Sequence, residues 1–402
     1  MNTIVKKIIY KVKKEGDDAV SYFTKKYDGI ELLPKKFKVS EKEFRTAVKN
    51  VSNDFLIAIK QAKKNIEFFQ KKILPKLTVI KKNEIVLKCV FKPIEKIGIY
   101  IPGGKFSYPS TILMTAVPAK IAGVRKIVMV SPPKNLTAEV LVTAKICGVT
   151  EIYRIGGVQA IAALAYGTET IPKVDKIVGP GNIFVTEAKR QVFGDVGIDM
   201  LAGPSEVLII ADSTANADFV IADLLAQCEH DRNATATLIS LSKRLTDTVK
   251  YKFQHFVFPQ TRNIFLKQIK IINTQTLKQA IKLINELAPE HLEIMTKNPE
   301  KIAEKIKNIG AVFIGNYSPV AIGDYFAGPS HVLPTSGTAR YSSGLSVYDF
   351  LKTSSVIQYN KSALKKSAKK IIKLAETERL FEHVNSIKIR TLAHLAKCAN
   401  DN

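Results

Sequence analysis

The strongest constraint on the fold is a long alternation of short apolar runs with helical stretches, which begins near residue 97. The runs "IGIYIP", "KIVMVSPP", "EIYRIGG" and "DKIVGPG" have the length and composition of buried strands. A second series follows with "EVLIIAD", "TATLISL", "IKIINT", "LEIMT" and "AVFIGN". Strands that alternate with helices are typical of a parallel sheet covered on both faces. The sequence therefore predicts an α/β protein with two parallel-sheet domains in tandem.

The same alternation divides the chain into four regions. Residues before 97 form amphipathic helical patterns and then the strand-like "EIVLKCVF", and the chain after residue 354 is helical and rich in lysine. Within the first series, "KIAGVRKIVMV" and "KICGVTEIYRI" repeat one unit, a helix end with a C-cap glycine followed by a strand. We expect a helical segment 1–96 packed on the second α/β domain, a first α/β domain 97–204, a second α/β domain 205–354 and a helical tail 355–402.

Composition excludes several classes of protein. A hydrophobic fraction of 46% over 402 residues is that of a globular protein, and no run approaches the roughly 20 apolar residues of a membrane span. The N-terminal sequence lacks the apolar core and cleavage site of a signal peptide, so a cytoplasmic protein is expected. The four cysteines stand far apart without a CxxC pair, which indicates neither a disulfide framework nor a cysteine-rich zinc site.

The net charge of +25 raises the alternative of a nucleic-acid-binding protein. The excess of lysine is spread along the chain, in segments such as "QKKIL" and "ALKKSAKKIIK", and no arginine-rich stripe is present. Such a distribution is typical of solvated surfaces, so no nucleic-acid partner is expected.

The segment "LLAQCEHDRNA" places a glutamine, a cysteine and a histidine close together. The apolar residues before it recur at helical intervals, with Asn216 or Thr214 as the N-cap. Residues three apart share a helix face, so Gln227 and His230 point together, whereas Cys228 is turned away by about 100°. The glutamine and the histidine are therefore the pair that needs a function.

Glycine-rich turns follow several of the predicted strands, as in "IYIPGGKFSYPST" and "KIVGPGNIFVTEAKR". Free backbone N–H groups in such turns bind anions in α/β proteins. None of the turns reads GxGxxG, so the standard dinucleotide fingerprint is absent, and tight turns alone would also explain the glycines.

The segment "ELAPEHLEIM" places Glu290 and His291 where a predicted helix ends and a strand begins. An imidazole titrates near neutrality and burial tunes a carboxyl upward, so this pair is a candidate general acid and base. The dipeptide by itself is weak evidence for catalysis.

Two later segments add further polar groups. Asp324 and His331 lie in a stretch rich in glycine and serine that reads as a loop, and such loops often line sites. Glu378 and His383 lie on the tail, where a solvated helix face is the alternative. Four residues then make a nitrogen and oxygen ligand set suited to zinc or a similar divalent metal: Gln227, His230, Asp324 and His383.

These motifs together resemble the histidinol dehydrogenase family. The resemblance is close from about residue 97 to 350 and resumes in the tail. The segments that carry it are "YIPGG", "GGVQAIAALAYGTETIPKVDKIVGPGN", "DMLAGPSEVLIIAD", "LLAQCEHD", "LAPEHLE", "GDYFAGPSHVLPT", "SSGLSVYDF" and "EHVNSIKIR". Several long motifs in the same order are far more specific than any one of them. The helices before residue 97 match only in general character.

The resemblance implies a role for each candidate residue. It places NAD contacts in the first α/β domain, at Tyr100, Gln159 and Asn182. It assigns the metal and acid/base residues mainly to the second α/β domain, with one zinc ion per subunit held by Gln227, His230, Asp324 and His383. Glu290 and His291 would be the catalytic pair, and the residues in contact with substrate would be Ser205, Gln227, His230, His291, Asp324, His331, Glu378 and His383.

The resemblance also implies a fold of the aldehyde and histidinol dehydrogenase type and a specific reaction. The family oxidises L-histidinol to L-histidine through L-histidinal and reduces two NAD, in the last steps of histidine biosynthesis. It implies a homodimer in which the tail is exchanged between chains, and no membrane partner.

Two departures and one rival are visible in the sequence. Arg379 stands where the family usually has a glycine, and Ser330 replaces a more common asparagine. The rival is another NAD-dependent alcohol or aldehyde dehydrogenase. An aldehyde dehydrogenase needs a nucleophilic cysteine in a polar turn, and Cys228 within a helix is poorly placed for that role.

Overall fold

Two five-stranded parallel sheets form the framework of the chain, as the sequence predicts. The computed structural model describes residues 1–103, 107–256 and 267–391, apart from the side chains of His230, His255 and Phe256. Its helices are α1 (Asn2–Asp28), α2 (Glu41–Lys49), α3 (Asn53–Lys72), α4 (Pro109–Ala122), α5 (Ala138–Cys147), α6 (Gly157–Tyr166), α7 (Ile183–Val192), α8 (Ala217–His230), α9 (Lys243–Phe256), α10 (Leu277–Leu287), α11 (Pro299–Ala303), α12 (Val320–Tyr325), α13 (Lys361–Thr377) and α14 (Phe381–Thr391). Its strands are β1 (Thr78–Lys82), β2 (Ile85–Pro93), β3 (Lys96–Tyr100), β4 (Lys126–Val130), β5 (Glu151–Tyr153), β6 (Lys176–Val178), β7 (Gly197–Ile198), β8 (Glu206–Ala211), β9 (Thr235–Ser240), β10 (Ile269–Asn273), β11 (His291–Met295), β12 (Ala311–Ile314) and β13 (Leu351–Tyr359).

The two parallel sheets have the same strand order. The first sheet runs β5-β4-β3-β6-β7 and the second runs β10-β9-β8-β11-β12, so in each the earliest strand is central. This is the order of doubly wound nucleotide-binding folds, and the direction of winding reverses beside the central strand. The prediction of two Rossmann-like domains is confirmed.

Helices cover both faces of the first sheet. On one face, α6 and α7 pack with α1 in a single apolar cluster that contains the side chains of Val12, Val128 and Ile161. The backbone comes close to this helix layer, because a Cβ at Gly98 would lie 2.8 Å from a methyl carbon of Leu164. On the other face α4 and α5 pack together, and the N-terminal helices α3 and α2 pack onto them.

The helices α1, α2 and α3 therefore pack on the first α/β domain. The expectation that the N-terminal segment packs on the second α/β domain is wrong for these three helices. The apolar side of α1 contributes Val5, Ile9 and Val12 to the core around the alanine-rich helix α6. A helix with one apolar side is amphipathic wherever it docks, so its sequence does not specify the partner surface.

The second sheet is also covered on both faces. Val207, Ile209 and Ala211 alternate toward α8 and α9, whereas Leu208 and Ile210 face α10 and α11. Each helix that follows a parallel strand runs back across the sheet. The last turn of α8 therefore lies toward the edge where the strands begin.

A second compact unit contains residues 75–93 and 351–391 of the described chain. Its antiparallel sheet has the order β1-β2-β13, and β13 pairs with β2 from Leu351 to Tyr359. The tail was expected to be helical from residue 355, so this expectation is wrong for its first residues. The pairing partner is more than 250 residues away in sequence, and a single-sequence pattern does not reveal it.

Helices α13 and α14 follow this strand in the second unit. Across the ranges that the structure describes, no helix has the length and apolar character needed to span a membrane.

Candidate functional site

The carboxyl-end edge of the first sheet gathers the three residues predicted to contact NAD. Tyr100 ends β3, is almost fully buried, and its hydroxyl accepts a hydrogen bond of 3.1 Å from the N–H of Gly157. Gly179 follows β6 with a φ of 109°, and any Cβ there would collide with the carbonyl oxygen of Tyr100. The glycine-rich turns thus bring the backbone of neighbouring strands together at the reversal point, where α/β proteins bind nucleotides.

The other two predicted NAD contacts lie on the adjoining helices. Gln159 is buried in the first turn of α6, and Asn182 is the N-cap of α7. The Oδ1 of Asn182 accepts from the N–H groups of Phe184 and Val185 at 3.0 and 3.1 Å. The structure therefore places Tyr100, Gln159 and Asn182 at one edge of the first sheet.

A buried ion pair between Lys189 and Asp199 holds the turn at Gly179 on this edge. Lys189 and Asp199 contact each other with almost no solvent exposure, and Lys189 also donates to the carbonyl oxygen of Gly179 at 3.1 Å. Asp199 in turn accepts from the N–H of Gly179 at 2.7 Å. This pair was not predicted from the sequence, because Lys189 and Asp199 stand among other charged and polar residues that give no local sign of burial.

Glu290 and His291 lie at the amino-end edge of the second sheet, where its parallel strands begin. Both side chains are buried, at 4% and 5% exposure. The Oε2 of Glu290 accepts a 2.9 Å hydrogen bond from the N–H of Glu206, and the side chain of Ser205 also hydrogen-bonds to Glu290. The predicted pair and the predicted substrate residue Ser205 are therefore brought together at the starts of the adjacent strands β8 and β11.

The surroundings of Glu290 make its carboxyl hard to ionise. Burial is the largest cause that raises the pKa of Glu290 well above its usual value, and the charges of Glu206 and Asp324 raise it further. Burial also raises the pKa of Glu206, whose Oε1 accepts from the N–H of Ser336 at 2.9 Å. A carboxyl with a raised pKa is a stronger base once it is ionised, which suits proton transfer near neutral pH.

The ring of His291 is held in one orientation. Its Nδ1 lies 3.1 Å from the carbonyl oxygen of Glu206, and its ring packs at 6.0 Å from the ring of Phe313. A carbonyl oxygen can only accept, so Nδ1 carries the proton and Nε2 is the basic nitrogen of the neutral ring. Glu206 was not among the predicted site residues, although a charged residue at the first position of the buried strand "EVLIIA" is a visible signal.

The helices α8 and α12 carry the next candidates, Gln227 and Asp324. Asn216 caps α8, as one of the two predicted alternatives, by accepting from the N–H of Asp218 at 2.9 Å. Gln227 is buried at 3% exposure, and its Nε2 has no hydrogen-bond partner. A buried amide without a partner is costly unless a ligand completes its environment. His230 ends α8, but its side chain lies outside the described residues.

Asp324 and His331 contact each other. The Nδ1 of His331 donates to the carbonyl oxygen of Asp324 at 2.9 Å, and it lies 4.0 Å from the Oδ1 of the same residue. Ser330 is buried, and its hydroxyl donates to the carbonyl oxygen of Met114 at 3.2 Å while it accepts from the N–H of Val332. The departure at Ser330 therefore has a structural role in holding the loop that presents His331.

The metal site stays a prediction. Among the side chains that the structure describes, no three His, Cys, Asp or Glu groups converge as they would around an ion. The proposed set differs from such a cluster, because it includes a glutamine and also His230, whose side chain lies outside the described residues. A metal binds glutamine through Oε1, and a 180° rotation of the side-chain amide exchanges Oε1 with the unpartnered Nε2, so Gln227 fits a metal ligand at this place in the rotated orientation.

The remaining candidates belong to the second compact unit. Glu378 is the C-cap of α13, and Arg379 follows it with a φ of 60°, in the left-handed region. His383 lies in the first turn of α14, where its N–H donates to the carbonyl oxygen of Leu380. The left-handed backbone at Arg379 explains why a glycine is usual at this position.

Cys228 is not placed for nucleophilic chemistry. It is buried in the apolar cluster between α8 and the second sheet, at 4% exposure. Burial raises the pKa of its thiol to about 11, so the thiolate is disfavoured at neutral pH. The covalent mechanism of an aldehyde dehydrogenase therefore has no support at this residue.

Comparison with known proteins gives consistent results. The sequence profile described as Histidinol dehydrogenase matches residues 1–391. Histidinol dehydrogenase from Clostridium acetobutylicum is 49% identical over 395 residues, which cover 96% of this chain and 91% of that protein. Histidinol dehydrogenase from Methanocaldococcus jannaschii is 49% identical over 394 residues, with the same coverage of 96% and 91%.

Solved structures are similar as well. The crystal structure of histidinol dehydrogenase from Elizabethkingia anophelis superimposes with a TM-score of 0.91 at 38% identity, covering 96% of this chain and 91% of that one. An acetylating aldehyde dehydrogenase from Geobacillus thermoglucosidasius has a TM-score of 0.50 at 15% identity, covering 89% of this chain and 91% of that one, which shows a shared fold only.

Proposed function

We propose, from the premise that this chain belongs to the histidinol dehydrogenase family and is an oxidoreductase, that it oxidises L-histidinol to L-histidine through L-histidinal. The four-electron oxidation would use two NAD and one zinc ion per subunit, as the last steps of histidine biosynthesis. The observation that carries the proposal is the buried arrangement of Glu290 and His291 beside Ser205 and the backbone of Glu206.

His291 is the proposed base for the alcohol. Its Nδ1 is engaged with the Glu206 carbonyl oxygen, so the proton of the substrate hydroxyl would pass to Nε2 as the hydride leaves. The imidazolium would then return this proton to the carbonyl oxygen of the aldehyde as water adds, so that the ring is neutral again before the second hydride leaves.

Glu290 is the proposed base for the second half of the reaction. Its carboxyl would accept a proton from a water molecule that adds to the aldehyde, and the resulting hydrate would lose the second hydride, with His291 again taking a proton. The raised pKa of Glu290 supports this role because it strengthens the ionised carboxylate as a base.

The cofactors follow from the family. The residues proposed to hold zinc are Gln227, His230, Asp324 and His383, whose oxygen and nitrogen donors suit this ion. Gln227 would coordinate through Oε1 after a 180° rotation of its buried amide, whose Nε2 has no hydrogen-bond partner. Zinc would supply a cationic anchor for the substrate's nitrogen atoms. NAD would supply the hydride acceptor, and Tyr100, Gln159 and Asn182 are the proposed contacts at the edge of the first sheet.

The proposed assembly is a homodimer that exchanges the tail. Its support is the second unit, where β13 exposes Val356 and Ile357 and β1 exposes Val79 and Ile80. Apolar sheet surface of this kind is usually covered by a partner. Light scattering should give twice the chain mass, and a monomer that retains full activity would exclude the dimer proposal.

The decisive experiment measures NADH formation with L-histidinol, before and after treatment with a chelator and again after zinc is restored. We expect about two NADH per histidinol consumed, from the four-electron balance, and a loss of activity on chelation that zinc reverses. Absence of NADH with the zinc-loaded protein would contradict the proposed function.

A further inference from the structure

Glu293 and Asp223 form a pair of acidic residues in the second α/β domain that is distinct from the acid/base pair Glu290 and His291. Glu293 is in the middle of β11 and has no solvent exposure. It follows His291 by two residues, so both side chains point to the face of the sheet that α8 covers. Burying an ionised carboxylate at the centre of the buried strand "HLEIM" is energetically costly unless hydrogen bonds compensate it or a proton neutralises it.

One carboxyl oxygen of Glu293 connects it to α12. Its Oε1 accepts a 2.8 Å hydrogen bond from the N–H of Val320, the first residue of that helix. Asp324 lies one helical turn further along, and its charge acts on Glu290 in the site. The position of Glu293 therefore influences where this candidate ligand is presented.

The other side of Glu293 faces α8. The carboxyl of Asp223 lies close enough for a side-chain hydrogen bond with Glu293, and Asp223 is one helical turn before Gln227. Two carboxylates cannot share such a bond, because one of them must carry a proton to donate. The Oε2 of Glu293 is buried and has no N–H donor, so this proton is what joins the two side chains.

The charges around the pair favour retention of one proton. Burial and the charge of Asp223 raise the pKa of Glu293 to about 8, and burial raises the pKa of Asp223 to about 6. The groups that face Glu293 are the Asp223 carboxyl from α8, the Val320 N–H from α12 and, along β11, His291 on the same face. Among the described residues, no cation shifts the pKa of either member.

We propose that Glu293 and Asp223 share one proton and so fix α8 and α12 at the separation that Gln227 and Asp324 require to bind one ligand. They are positioning residues, since neither is placed in contact with substrate or metal. This inference rests on the proposed function, because it takes the two helix ends as parts of one zinc site.

The test compares three variants of the full-length protein. Glu293→Leu removes both hydrogen bonds, whereas Glu293→Gln keeps an acceptor for Val320 and offers an N–H to the Asp223 carboxylate without needing a shared proton. Ile294→Ala is the matched control, because Ile294 is fully buried in the cluster on the other face of the same strand. Each variant is assayed for zinc affinity by competition with a chelator and for thermal unfolding without metal.

At pH 7, Glu293→Leu should bind zinc about 10- to 100-fold more weakly, as for other residues that orient metal ligands. Glu293→Gln should stay within about threefold of the wild type, and Ile294→Ala should lower the unfolding temperature without weakening zinc. As the pH rises past the pKa of about 8, the wild type should lose zinc affinity relative to Glu293→Gln, because only the wild type loses the shared proton.

Three results would overturn the inference. Zinc binding by Glu293→Leu that equals the wild type would show that the pair does not position the helices. Weakening by Ile294→Ala to the same extent would assign the effect to lost stability alone. An equal loss in both Glu293 variants would exclude the shared proton. Failure of the proposed function would be recognised separately. A wild-type protein that binds no zinc would contradict the proposed function before any variant is compared.

Discussion

The Nδ1 of His291 lies 3.1 Å from the carbonyl oxygen of Glu206, and this contact joins the first residues of two adjacent strands. Parallel pairing of β11 with β8 sets His291 opposite Val207, so the carbonyl oxygen of Glu206 is fixed beside the ring by the sheet itself. A base that is held by backbone pairing needs no flexible loop to orient it. The proposed proton transfer at Nε2 follows from this arrangement.

The first prediction is that His291→Asn blocks both oxidation steps. Asparagine keeps a polar side chain but has no basic nitrogen, so turnover of L-histidinol and of L-histidinal should each fall by about 10²- to 10⁴-fold. Stopped-flow measurement of NADH from each substrate provides the check, with zinc content measured in parallel. Loss of only one half-reaction would show that the base serves a single step.

The second prediction separates the two half-reactions through Glu290→Gln. The amide keeps the shape of the side chain but cannot accept a proton from water, so oxidation of L-histidinal should suffer more than oxidation of L-histidinol. L-histidinal should therefore accumulate, and trapping with a hydrazine reagent measures it. Equal losses with both substrates would contradict the assignment of Glu290 to the addition of water.

A third prediction concerns stability, because burial raises the pKa of Glu290. Above the unfolded value of 4.5, the folded chain holds a proton that the unfolded chain releases, so this residue's contribution to the free energy of unfolding decreases as pH rises. Metal-free Glu290→Gln should be more stable than the wild type near pH 8, by about 1 kcal/mol. Its advantage should shrink as the pH falls and disappear below 4.5, where the group becomes protonated in both states of the wild type.

Denaturant unfolding of both proteins across this pH range is the measurement. Glu286→Gln is a suitable control, since Glu286 is an exposed carboxyl on α10. A wild type that is more stable than Glu290→Gln at pH 8 would mean that the ionised carboxylate is well compensated.

Much of the framework is predictable from sequence because its signals are local. The strand runs and the C-cap glycines of the repeated unit are confirmed, with Gly123 and Gly148 at φ 94° and 82°. Gln227 and His230 both lie on α8, as their spacing in the sequence predicts. These features depend on neighbours within a few residues, which a single sequence contains.

The features that sequence did not reveal are those between distant segments. The carbonyl oxygen of Glu206 beside His291 requires two strands 85 residues apart to pair. The meeting of Asp223 with Glu293 likewise requires a helix to dock on a strand. Glu293 was nevertheless conspicuous as a charge in the apolar run "HLEIM", and such an anomaly predicts a buried polar contact even when the partner is unknown.

The fourth prediction concerns the departure at Arg379. Its φ of 60° lies in the left-handed region, where a Cβ is strained and glycine is favoured. Arg379→Gly should stabilise the protein by about 1 kcal/mol. Arg379→Ala is the matched control, since it removes the same charged side chain but retains the Cβ. Equal stability of the two variants in denaturant unfolding would show that backbone strain at this position is negligible.

The last prediction tests the unpartnered amide of Gln227 through the stability that a bound metal confers. A ligand that binds only the folded state raises the free energy of unfolding by RT ln(1 + [L]/Kd), about 2.7 kcal/mol at one hundred times Kd. Zinc should therefore raise the unfolding temperature of the metal-free wild type, and the gain should be lost or strongly reduced in Gln227→Ala at the same zinc concentration. Without zinc the order should reverse or become equal, because the variant removes a buried Nε2 that has no hydrogen-bond partner. Gln268→Ala is the contrasting control: its Nε2 donates to the carbonyl oxygens of Asp231 and Ala234 at 2.8 and 2.9 Å, so this change should destabilise the protein with and without zinc. A zinc-dependent gain in Gln227→Ala as large as that of the wild type would exclude Gln227 from the metal site.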